Sequence, residues 1–294
     1  MPNQQGTEIL YEIRERTAVI TLNLPKKFNA LTGPEYRRLE QLVQAAAREK
    51  STFVTLIQST GTFFSAGANF KKGDLSGDTQ DKISLLNLHN DGADPENYAD
   101  LDERSLWSYR FGTRNLVLTE TFFNHPKVLV VALNGPVIGL SAALVATADL
   151  IFGTDNTYLL APFANIGLAS EGAACYTLLQ RLGMSKASEA LLMSKPISAQ
   201  DLKATGFLNE LYPKDKFKSP EEFNEFIYNK VKKAMYGLDE EAVLIIKKLI
   251  RRSWQKDIVE ANHDEVFYGI DRFAKGVPQR RFAALATKSL NHKI

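Results

Sequence analysis

Asn134-Gly135-Pro136-Val137-Ile138-Gly139-Leu140 follows a strongly β-forming run, residues 127–133, and opens directly into a small-residue helical segment, residues 140–148. Small residues at the end of a strand let the chain turn and leave backbone N–H groups accessible from outside. The N-terminus of a helix adds a positive potential at the same place. The segment therefore predicts a strand–turn–helix unit that can bind a developing negative charge, although an ordinary tight turn accounts for the same residues.

A second turn of this kind lies earlier in the chain. Phe63-Phe64-Ser65-Ala66-Gly67-Ala68-Asn69-Phe70 comes after a predicted strand, Phe53–Ser59, and again collects small residues where the chain must turn. Two strand ends that each offer a free N–H group are a common way to build an oxyanion hole, the pair of donors that stabilises a negatively charged oxygen. Together the two segments predict such a site.

The remaining pattern fits a layered α/β fold. Alternation of apolar and polar residues predicts strands at Ile9–Ile13 and Ala18–Leu24, and apolar residues at helical spacing predict a helix over Pro34–Lys50. The order strand, strand, helix, strand recurs more loosely over residues 127–160. Further predicted helices span Cys175–Leu182, Lys186–Met193, Ala199–Thr205, Pro220–Met235, Glu240–Arg252 and Asp257–Ala274.

We expect an α/β core over residues 1–207 and a helical C-terminal region over residues 208–294, with no linker that would separate two independent domains. Between the two halves of the core lies a polar, glycine-containing segment, Lys71–Arg110, which predicts a long loop with at most a short helix. Loops of this length are uncommon unless they serve a site or are disordered.

Composition excludes several classes of protein. The chain has 294 residues, of which 44% are hydrophobic, and a net charge of only +2, so it can bury a large core and carries no nucleic-acid footprint. The single cysteine, Cys175, excludes an internal disulfide, and no cluster of Cys and His predicts a zinc site. No segment has the length of a membrane span and the N-terminus lacks a signal-peptide pattern, so we expect a soluble protein that is not secreted.

One carboxylate stands out because small and apolar residues surround it. Glu171 lies within Pro162-Phe163-Ala164-Asn165-Ile166-Gly167-Leu168-Ala169-Ser170-Glu171-Gly172-Ala173-Ala174. An apolar pocket would raise the pKa of this carboxyl toward the range of a general base. In the other reading Ser170 caps a helix and Glu171 interacts with the helix dipole in the first turn. Ser141 resembles part of a nucleophile elbow without its closing glycine, and tight helix packing explains it more simply.

These segments, with Pro25-Lys26-Lys27-Phe28-Asn29-Ala30-Leu31 and Ala148-Asp149, resemble the crotonase (enoyl-CoA hydratase/isomerase) family over about residues 9–207. The resemblance implies a spiral of repeated ββα units. Gly139-Leu140-Ser141-Ala142-Ala143-Leu144 and Tyr158-Leu159-Leu160, followed by Pro162-Phe163-Ala164-Asn165, are most similar to the fungal peroxisomal Δ3,Δ2-enoyl-CoA isomerases of this family.

The resemblance assigns roles residue by residue. The oxyanion-hole amides fall on Ala68 and Leu140, and the thioester-binding turn falls on Ala66, Gly67, Ala68, Asn69 and Phe70, where Asn69 replaces a more usual Asp. The two glutamates of the hydratases are replaced by Ala143 and Phe163, which disfavours hydration. The single glutamate of the isomerases falls on Glu171. Asn115 matches a residue that orients this carboxylate, although an Asn on a surface helix fits the sequence equally well.

The implied activity moves a double bond of a 3-enoyl-CoA thioester by proton transfer through Glu171. No cofactor is required beyond the CoA of the substrate, whose phosphates are expected near Lys26, Lys27, Lys71 or Lys72. A dienoyl-CoA isomerase and a non-catalytic acyl-CoA-binding subunit remain alternatives.

The resemblance also implies a homo-oligomer, a trimer or hexamer, with Glu240–Ala274 as the candidate interface. Phe267, Ile270 and Phe273 lie at helical spacing in this segment, and an intramolecular core would show the same pattern. The end of the chain, Asn291-His292-Lys293-Ile294, is similar to a peroxisomal signal, and a cytoplasmic protein with a basic tail is the other reading.

Overall fold

The computed structural model describes residues 8–69, 102–287 and 289. Its strands are β1 (Ile9–Arg14), β2 (Thr17–Leu22), β3 (Val54–Ser59), β4 (Val128–Leu133), β5 (Val137–Ile138), β6 (Leu150–Thr154), β7 (Tyr158–Leu160), β8 (Ile197–Ser198) and β9 (Glu210–Tyr212). Its α-helices are α1 (Gly33–Arg48), α2 (Glu103–Trp107), α3 (Arg114–Phe123), α4 (Leu140–Val145), α5 (Ala174–Leu192), α6 (Ala199–Ala204), α7 (Pro220–Met235), α8 (Glu240–Arg252), α9 (Gln255–Ala274) and α10 (Val277–Ala286). A π-helical turn, Ser108–Thr113, joins α2 to α3, and 3₁₀ turns span Pro25–Lys27 and Lys214–Lys216.

The strands form two sheets, as a layered α/β fold requires. The larger sheet has the order β1-β2-β3-β4-β6-β9, in which only the β1–β2 pair is antiparallel. The smaller sheet has the order β5-β7-β8. Every residue of β2, β3 and β4 is buried, which is typical of parallel strands covered on both faces. The α/β class predicted from the sequence is confirmed.

Most predicted elements are present, with differences at their ends. Pro220–Met235 and Glu240–Arg252 are helices with the predicted bounds, whereas the two helices predicted within 175–193 form one element that is kinked at Gly183. The short strands β5, β8 and β9 and the helices α3 and α10 were not predicted, whereas α2 is a short helix of the kind that the prediction for Lys71–Arg110 allowed. Since β9 pairs with β6 at the edge of the larger sheet, the region beyond residue 207 is not purely helical. Of the expected loop Lys71–Arg110, residues 103–110 are helical and residues 71–101 lie outside the described part.

Helix α8 is attached to the core through charged side chains. Lys247 and Arg251 reach across to the carboxylate of Asp149, at 2.6 Å and 2.7 Å, just before β6. Arg251 also donates to the carbonyl oxygens of Phe123 and Thr147, at 2.9 Å and 2.6 Å. The fully buried residues of α8 are therefore charged, Val243 and Leu244 pack partly against the core, and Ile245, Ile246, Leu249 and Ile250 are exposed.

Helix α9 approaches the rest of the core closely. Val266, Ile270 and Phe273 belong to the main hydrophobic cluster of the molecule. A Cβ added at Gly269 would lie 2.2 Å from Cε1 of Phe111, on the π-helical turn, so a glycine is required at this contact. Ile270 and Phe273 are buried within the chain, at 4% and 2% exposure, which corrects their assignment to an interface between subunits.

Among the described residues, no helix combines the length and the apolar character needed to cross a bilayer.

We predict that Gly269→Ala destabilises the protein, although alanine is intrinsically the better helix former by about 1 kcal/mol. The added methyl group would overlap the Phe111 ring, and such overpacking costs roughly 1–3 kcal/mol. Urea unfolding of the variant should show a lower free energy of unfolding. In a Phe111→Leu background the same substitution should cost less, and an equal cost in both backgrounds would contradict a clash with this ring.

Candidate active site

The two turns predicted from the sequence lie side by side. Because β3 and β4 are parallel neighbours, their carboxyl ends meet at the same edge of the sheet. Beyond these ends, Ser65 and Val137 form a parallel bridge, in which the Ser65 carbonyl accepts the N–H of Ile138 at 2.9 Å. A Cβ at Gly67 would lie 2.7 Å from the carbonyl oxygen of Ile138, so only glycine allows this approach. The segments that end at Ala68 and Leu140 are thus held in contact.

Both amides expected in an oxyanion hole are available. The neighbours of Ala68 are paired, since Leu31 N–H donates to the Gly67 carbonyl and Asn69 N–H donates to the Leu31 carbonyl, each at 2.8 Å. Gly139 N–H donates to the Leu160 carbonyl at 2.8 Å. By contrast, neither Ala68 N–H nor Leu140 N–H donates to any residue in the described part of the chain. Leu140 is also the first residue of α4.

Buried asparagines and hydroxyls fix the two turns. Asn29, which has a φ of 53°, donates from Nδ2 to the carbonyls of Thr60 and Phe63, at 2.7 Å and 2.9 Å. Asn134 joins the ends of β3 and β4, because its Oδ1 accepts from the Ser59 hydroxyl at 2.6 Å and its Nδ2 donates to the Gly61 carbonyl at 2.7 Å. These side chains explain why the motifs contain Asn at both positions.

Ser141 belongs to this supporting network. Its hydroxyl is 2.8 Å from the Ser65 hydroxyl and 3.3 Å from the Tyr36 hydroxyl, and the residue is 4% exposed. No histidine among the described residues is hydrogen-bonded to it. The packing interpretation of Ser141 therefore fits its surroundings, and a nucleophile does not.

Glu171 lies against the start of α4. A Cβ added at the next residue, Gly172, would be 2.6 Å from Cβ of Ala143 and 3.1 Å from Cδ1 of Leu140. Gly172 has a φ of 76°, which also favours glycine. Glu171 is therefore next to a tight bend that packs against the side chains of Leu140 and Ala143. Ala143 is one of the two residues that replace the hydratase glutamates. The other, Phe163, is buried in the main core.

Asn115 holds the carboxylate of Glu171. Its Nδ2 donates to Oε2 of Glu171 at 2.6 Å, and the residue is fully buried on α3. Arg114 Nε donates to Oδ1 of Asn115 at 3.1 Å. Because a guanidinium can only donate, this contact fixes the orientation of the amide, so that the Asn115 NH₂ group faces the carboxylate. The alternative of a surface Asn is thereby excluded.

Burial raises the pKa of Glu171 to about 7, with Glu265 adding a like charge nearby. The positive charge of Arg114 and the hydrogen bond from Asn115 act in the opposite direction. This carboxyl group therefore exchanges its proton near neutral pH, as an efficient general base does.

The helix-cap interpretation of Ser170 and Glu171 is wrong. Helix α5 begins at Ala174, and its N-cap position is Ala173, which has a φ of 58° and no capping side chain. Glu171 is therefore outside the first turn of the helix. Burial, which raises its pKa, outweighs the groups that lower it.

Two further residues near the site were not singled out from the sequence. One is Arg114, described above, and the other is Glu265, a buried carboxyl group on α9. The helical spacing of the sequence could have identified Glu265, because this residue lies on the buried side of α9 with Ile258, Asn262, Gly269, Ile270 and Phe273. A charged residue on an otherwise buried stripe is a recognisable anomaly.

The other predicted residues fall into two groups. Ala66, Gly67, Ala68 and Asn69 form the turn beside Leu140, whereas Phe70, Lys71 and Lys72 lie outside the described residues. Lys26 and Lys27 are exposed on a 3₁₀ turn, where Lys27 pairs with Glu8 at 3.3 Å. Of the two phenylalanines that open the turn segment 63–70, Phe64 is buried in the main core and Phe63 contacts the exposed Phe28, with 5.0 Å between ring centroids.

Solved structures share this fold. An enoyl-CoA hydratase/isomerase from Pseudoalteromonas atlantica T6c superimposes with a TM-score of 0.74 over 96% of this chain and 98% of that one, at 19% identity. At that identity the likeness concerns the fold alone.

Sequence comparisons identify the family. The family model described as enoyl-CoA hydratase/isomerase matches residues 90–241. A protein of Pyricularia oryzae named Delta(3,5)-Delta(2,4)-dienoyl-CoA isomerase is 41% identical over 96% of this chain and 98% of its own length. A Saccharomyces cerevisiae protein named 3,2-trans-enoyl-CoA isomerase is 33% identical over 99% and 98%. A Mus musculus protein named Enoyl-CoA delta isomerase 3, peroxisomal, is 24% identical over 92% of this chain and 76% of its own length. The chain belongs to the enoyl-CoA hydratase/isomerase family, the crotonase family, and is an isomerase.

Proposed function

We propose that the protein is a Δ3,Δ2-enoyl-CoA isomerase of fatty acid β-oxidation, which converts 3-enoyl-CoA into trans-2-enoyl-CoA. The observation that carries this proposal is the position of Glu171, a buried carboxyl group with a pKa of about 7 that Asn115 holds, next to a glycine that packs against the side chains of Leu140 and Ala143.

The thioester carbonyl oxygen would lie between the N–H groups of Ala68 and Leu140. These donors stabilise the enolate that forms when C2 loses a proton, and the N-terminus of α4 adds its positive potential. Removal of one such donor typically costs on the order of 10²–10³ in rate. The thioester itself serves as the electron sink in this mechanism.

Glu171 would take the proton from C2 and return it to C4. Proton uptake and release by the same group are both efficient when its pKa is close to the working pH. The hydrogen bond from Asn115 occupies one carboxylate oxygen and leaves the other for the substrate. Hydration by the two-glutamate mechanism is disfavoured because Ala143 and Phe163 stand at those positions.

A dienoyl-CoA isomerase is the second candidate. Two observations favour it, the 41% identity to a protein of that name and the presence of a second buried carboxyl group, Glu265, near Glu171. This reaction moves the proton to a more distant carbon and commonly uses an additional acidic group. Glu265 points its Oε1 toward the backbone of α5, which makes it a less direct proton carrier than Glu171.

We also propose a homo-oligomer that is built through α8. This helix buries Lys247 and Arg251 and exposes apolar side chains, namely Ile245, Ile246, Leu249 and Ile250, at 50–63%. On α9, Phe267 and Tyr268 are exposed at 59% and 65%. An amphipathic helix that turns its apolar face outward is typical of a subunit contact. A second copy of the chain, in a trimer or hexamer, is the occupant we propose.

We propose a peroxisomal location, which the peroxisomal name of one relative and the tail 292–294 support. That tail lies outside the described residues.

We predict that Glu171→Gln lowers the rate of isomerisation by about 10²–10⁴-fold, the usual contribution of a general base. The assay incubates protein with trans-3-hexenoyl-CoA and follows the conjugated product, in parallel with a 3,5-dienoyl-CoA followed as its 2,4-dienoyl product. Glu260→Gln, an exposed residue on α9, is the matched control. The faster of the two substrates decides between the candidates, and no conversion of the 3-enoyl substrate would reject the proposal.

The same substitution should stabilise the folded protein at neutral and higher pH. Below pH 4.5 Glu171 is protonated in both the folded and unfolded chain, and as pH rises to about 7 only the unfolded chain ionises freely. The shift from 4.5 to about 7 corresponds to roughly 3 kcal/mol of folding free energy that is lost above pH 7. Urea unfolding should show the advantage of Glu171→Gln growing from pH 4.5 to pH 8, and an advantage that is independent of pH would exclude a raised pKa.

We predict that Ile246→Glu with Leu249→Glu dissociates the oligomer, because two charges would be buried in its interface. Lys248→Glu, an exposed charge change on the same helix, is the control and should leave assembly intact. Size-exclusion chromatography with light scattering measures the mass. A wild-type protein of 32.8 kDa at all concentrations would contradict the proposed oligomer.

A further inference from the structure

One helix holds the segment that carries Glu171 from both sides. Arg272 Nε donates to the carbonyl oxygen of Gly167 at 2.8 Å, four residues before Glu171. Glu265 Oε1 accepts the N–H of Cys175 at 2.8 Å, four residues after Glu171. The two side chains are seven residues apart on α9, so they project from the same face of this helix. The bend around Glu171 is fastened to α9 at each end.

The position of α9 itself is closely defined. Gly269, between Glu265 and Arg272, lies against the Phe111 ring with no space for a Cβ atom. Helix α9 also contacts α3, the helix that carries Asn115, because Asn262 Nδ2 donates to the carbonyl oxygen of Leu116 at 3.2 Å. Helix α9 therefore connects the two residues whose side chains meet at the site, Asn115 and Glu171.

Glu265 is an unusual choice for a residue that only caps a helix. It is 4% exposed, its Oε2 is buried without a hydrogen bond of good geometry, and none of the ion pairs between described residues includes it. Burial raises the pKa of this carboxyl, against the Cys175 thiol and the Ser170 hydroxyl that face it. A neutral Asn or Ser would satisfy the backbone of α5 without burying an acid.

We propose that Glu265 is a positioning residue for the catalytic base: it anchors the bend after Glu171 to α9 and places a second carboxyl group beside the first. This inference rests on the proposed function, in which Glu171 removes and returns the proton. A like charge nearby raises the proton affinity of Glu171 and so strengthens this carboxylate as the base that removes the proton from C2. The opposing influence comes from α3, where Arg114 favours the ionised form.

The direct test is a pH titration of the Glu171 carboxyl carbon by ¹³C NMR in protein labelled at glutamate Cδ, with Glu171→Gln used for assignment. Glu265→Gln keeps an acceptor for the Cys175 N–H and removes the charge, so the pKa of Glu171 should fall below its value of about 7. Glu260→Gln, which removes an exposed charge from the same helix, should leave it unchanged. If both variants titrate as the wild type does, the inference is wrong.

A second variant covers the case in which Glu265→Gln does not fold. Interaction between two titrating groups is reciprocal, so Glu171→Gln should lower the pKa of Glu265. An unchanged Glu265 titration in that variant would overturn the inference without use of a Glu265 substitution.

Turnover provides the remaining readout. With the anchor removed, Glu265→Ala should lower kcat on the order of 10- to 100-fold, as small displacements of catalytic groups do. Its KM should change little, because the substrate-binding turn 66–69 makes no hydrogen bond to α9. If Glu265→Ala lowers the fraction of folded protein but leaves kcat per folded molecule unchanged, Glu265 only stabilises the fold and the positioning role is contradicted. A shifted Glu171 titration in a protein with no isomerase turnover would instead reject the proposed function and retain the coupled carboxyl pair.

Discussion

The parallel pairing of β3 with β4 is the constraint on which the site depends. It brings the carboxyl ends of two strands to one edge, where Asn134 and Ser59 tie them together with a 2.6 Å hydrogen bond. Beyond that edge the chain still runs in parallel through Ser65 and Val137, and glycine at position 67 permits contact between the two backbones. Within the described part of the chain the amides of Ala68 and Leu140 donate to no acceptor, whereas the neighbouring N–H groups of Asn69 and Gly139 are paired. A preorganised pair of donors costs no rearrangement when charge develops on a substrate oxygen.

Glu171 illustrates how a fold sets the acidity of one group. Removal from water raises its pKa more than Arg114 and the Asn115 amide lower it, with Glu265 acting in the same direction as burial. The pKa of Glu171 lies near neutrality because contributions that raise it and contributions that lower it are both present. Different elements supply them: α3 carries Asn115 and Arg114, α4 provides apolar side chains, and α9 carries the second carboxyl group. Loss of any one element would change the proton affinity of Glu171 as well as the position of its carboxyl group.

The C-terminal helices are attached to the core and to the segment that carries Glu171. Asp149, at the start of β6, holds α8 through Lys247 and Arg251, and this polar attachment turns the apolar side of the helix to the outside. Helix α9 joins the main core and reaches the Glu171 segment through Arg272 and Glu265. Assembly through α8 and catalysis through α9 would then be carried by adjacent helices of one region.

The sequence by itself determined the α/β class, the central strands, the two turns and the singular character of Glu171, because period-2 and period-3.6 patterns and clusters of small residues are local properties. It also indicated both helices Pro220–Met235 and Glu240–Arg252 with their bounds. Only the tertiary structure decided whether Asn115 is exposed or bonded to Glu171, whether Ser170 caps a helix, and whether Ile270 and Phe273 serve the core or a subunit contact. Short strands such as Val137–Ile138 owe their conformation to pairing partners distant in sequence. The acidity of Glu171 arises from burial and from the charges of Arg114 and Glu265, which are 57 and 94 residues away along the chain, so no local pattern records it.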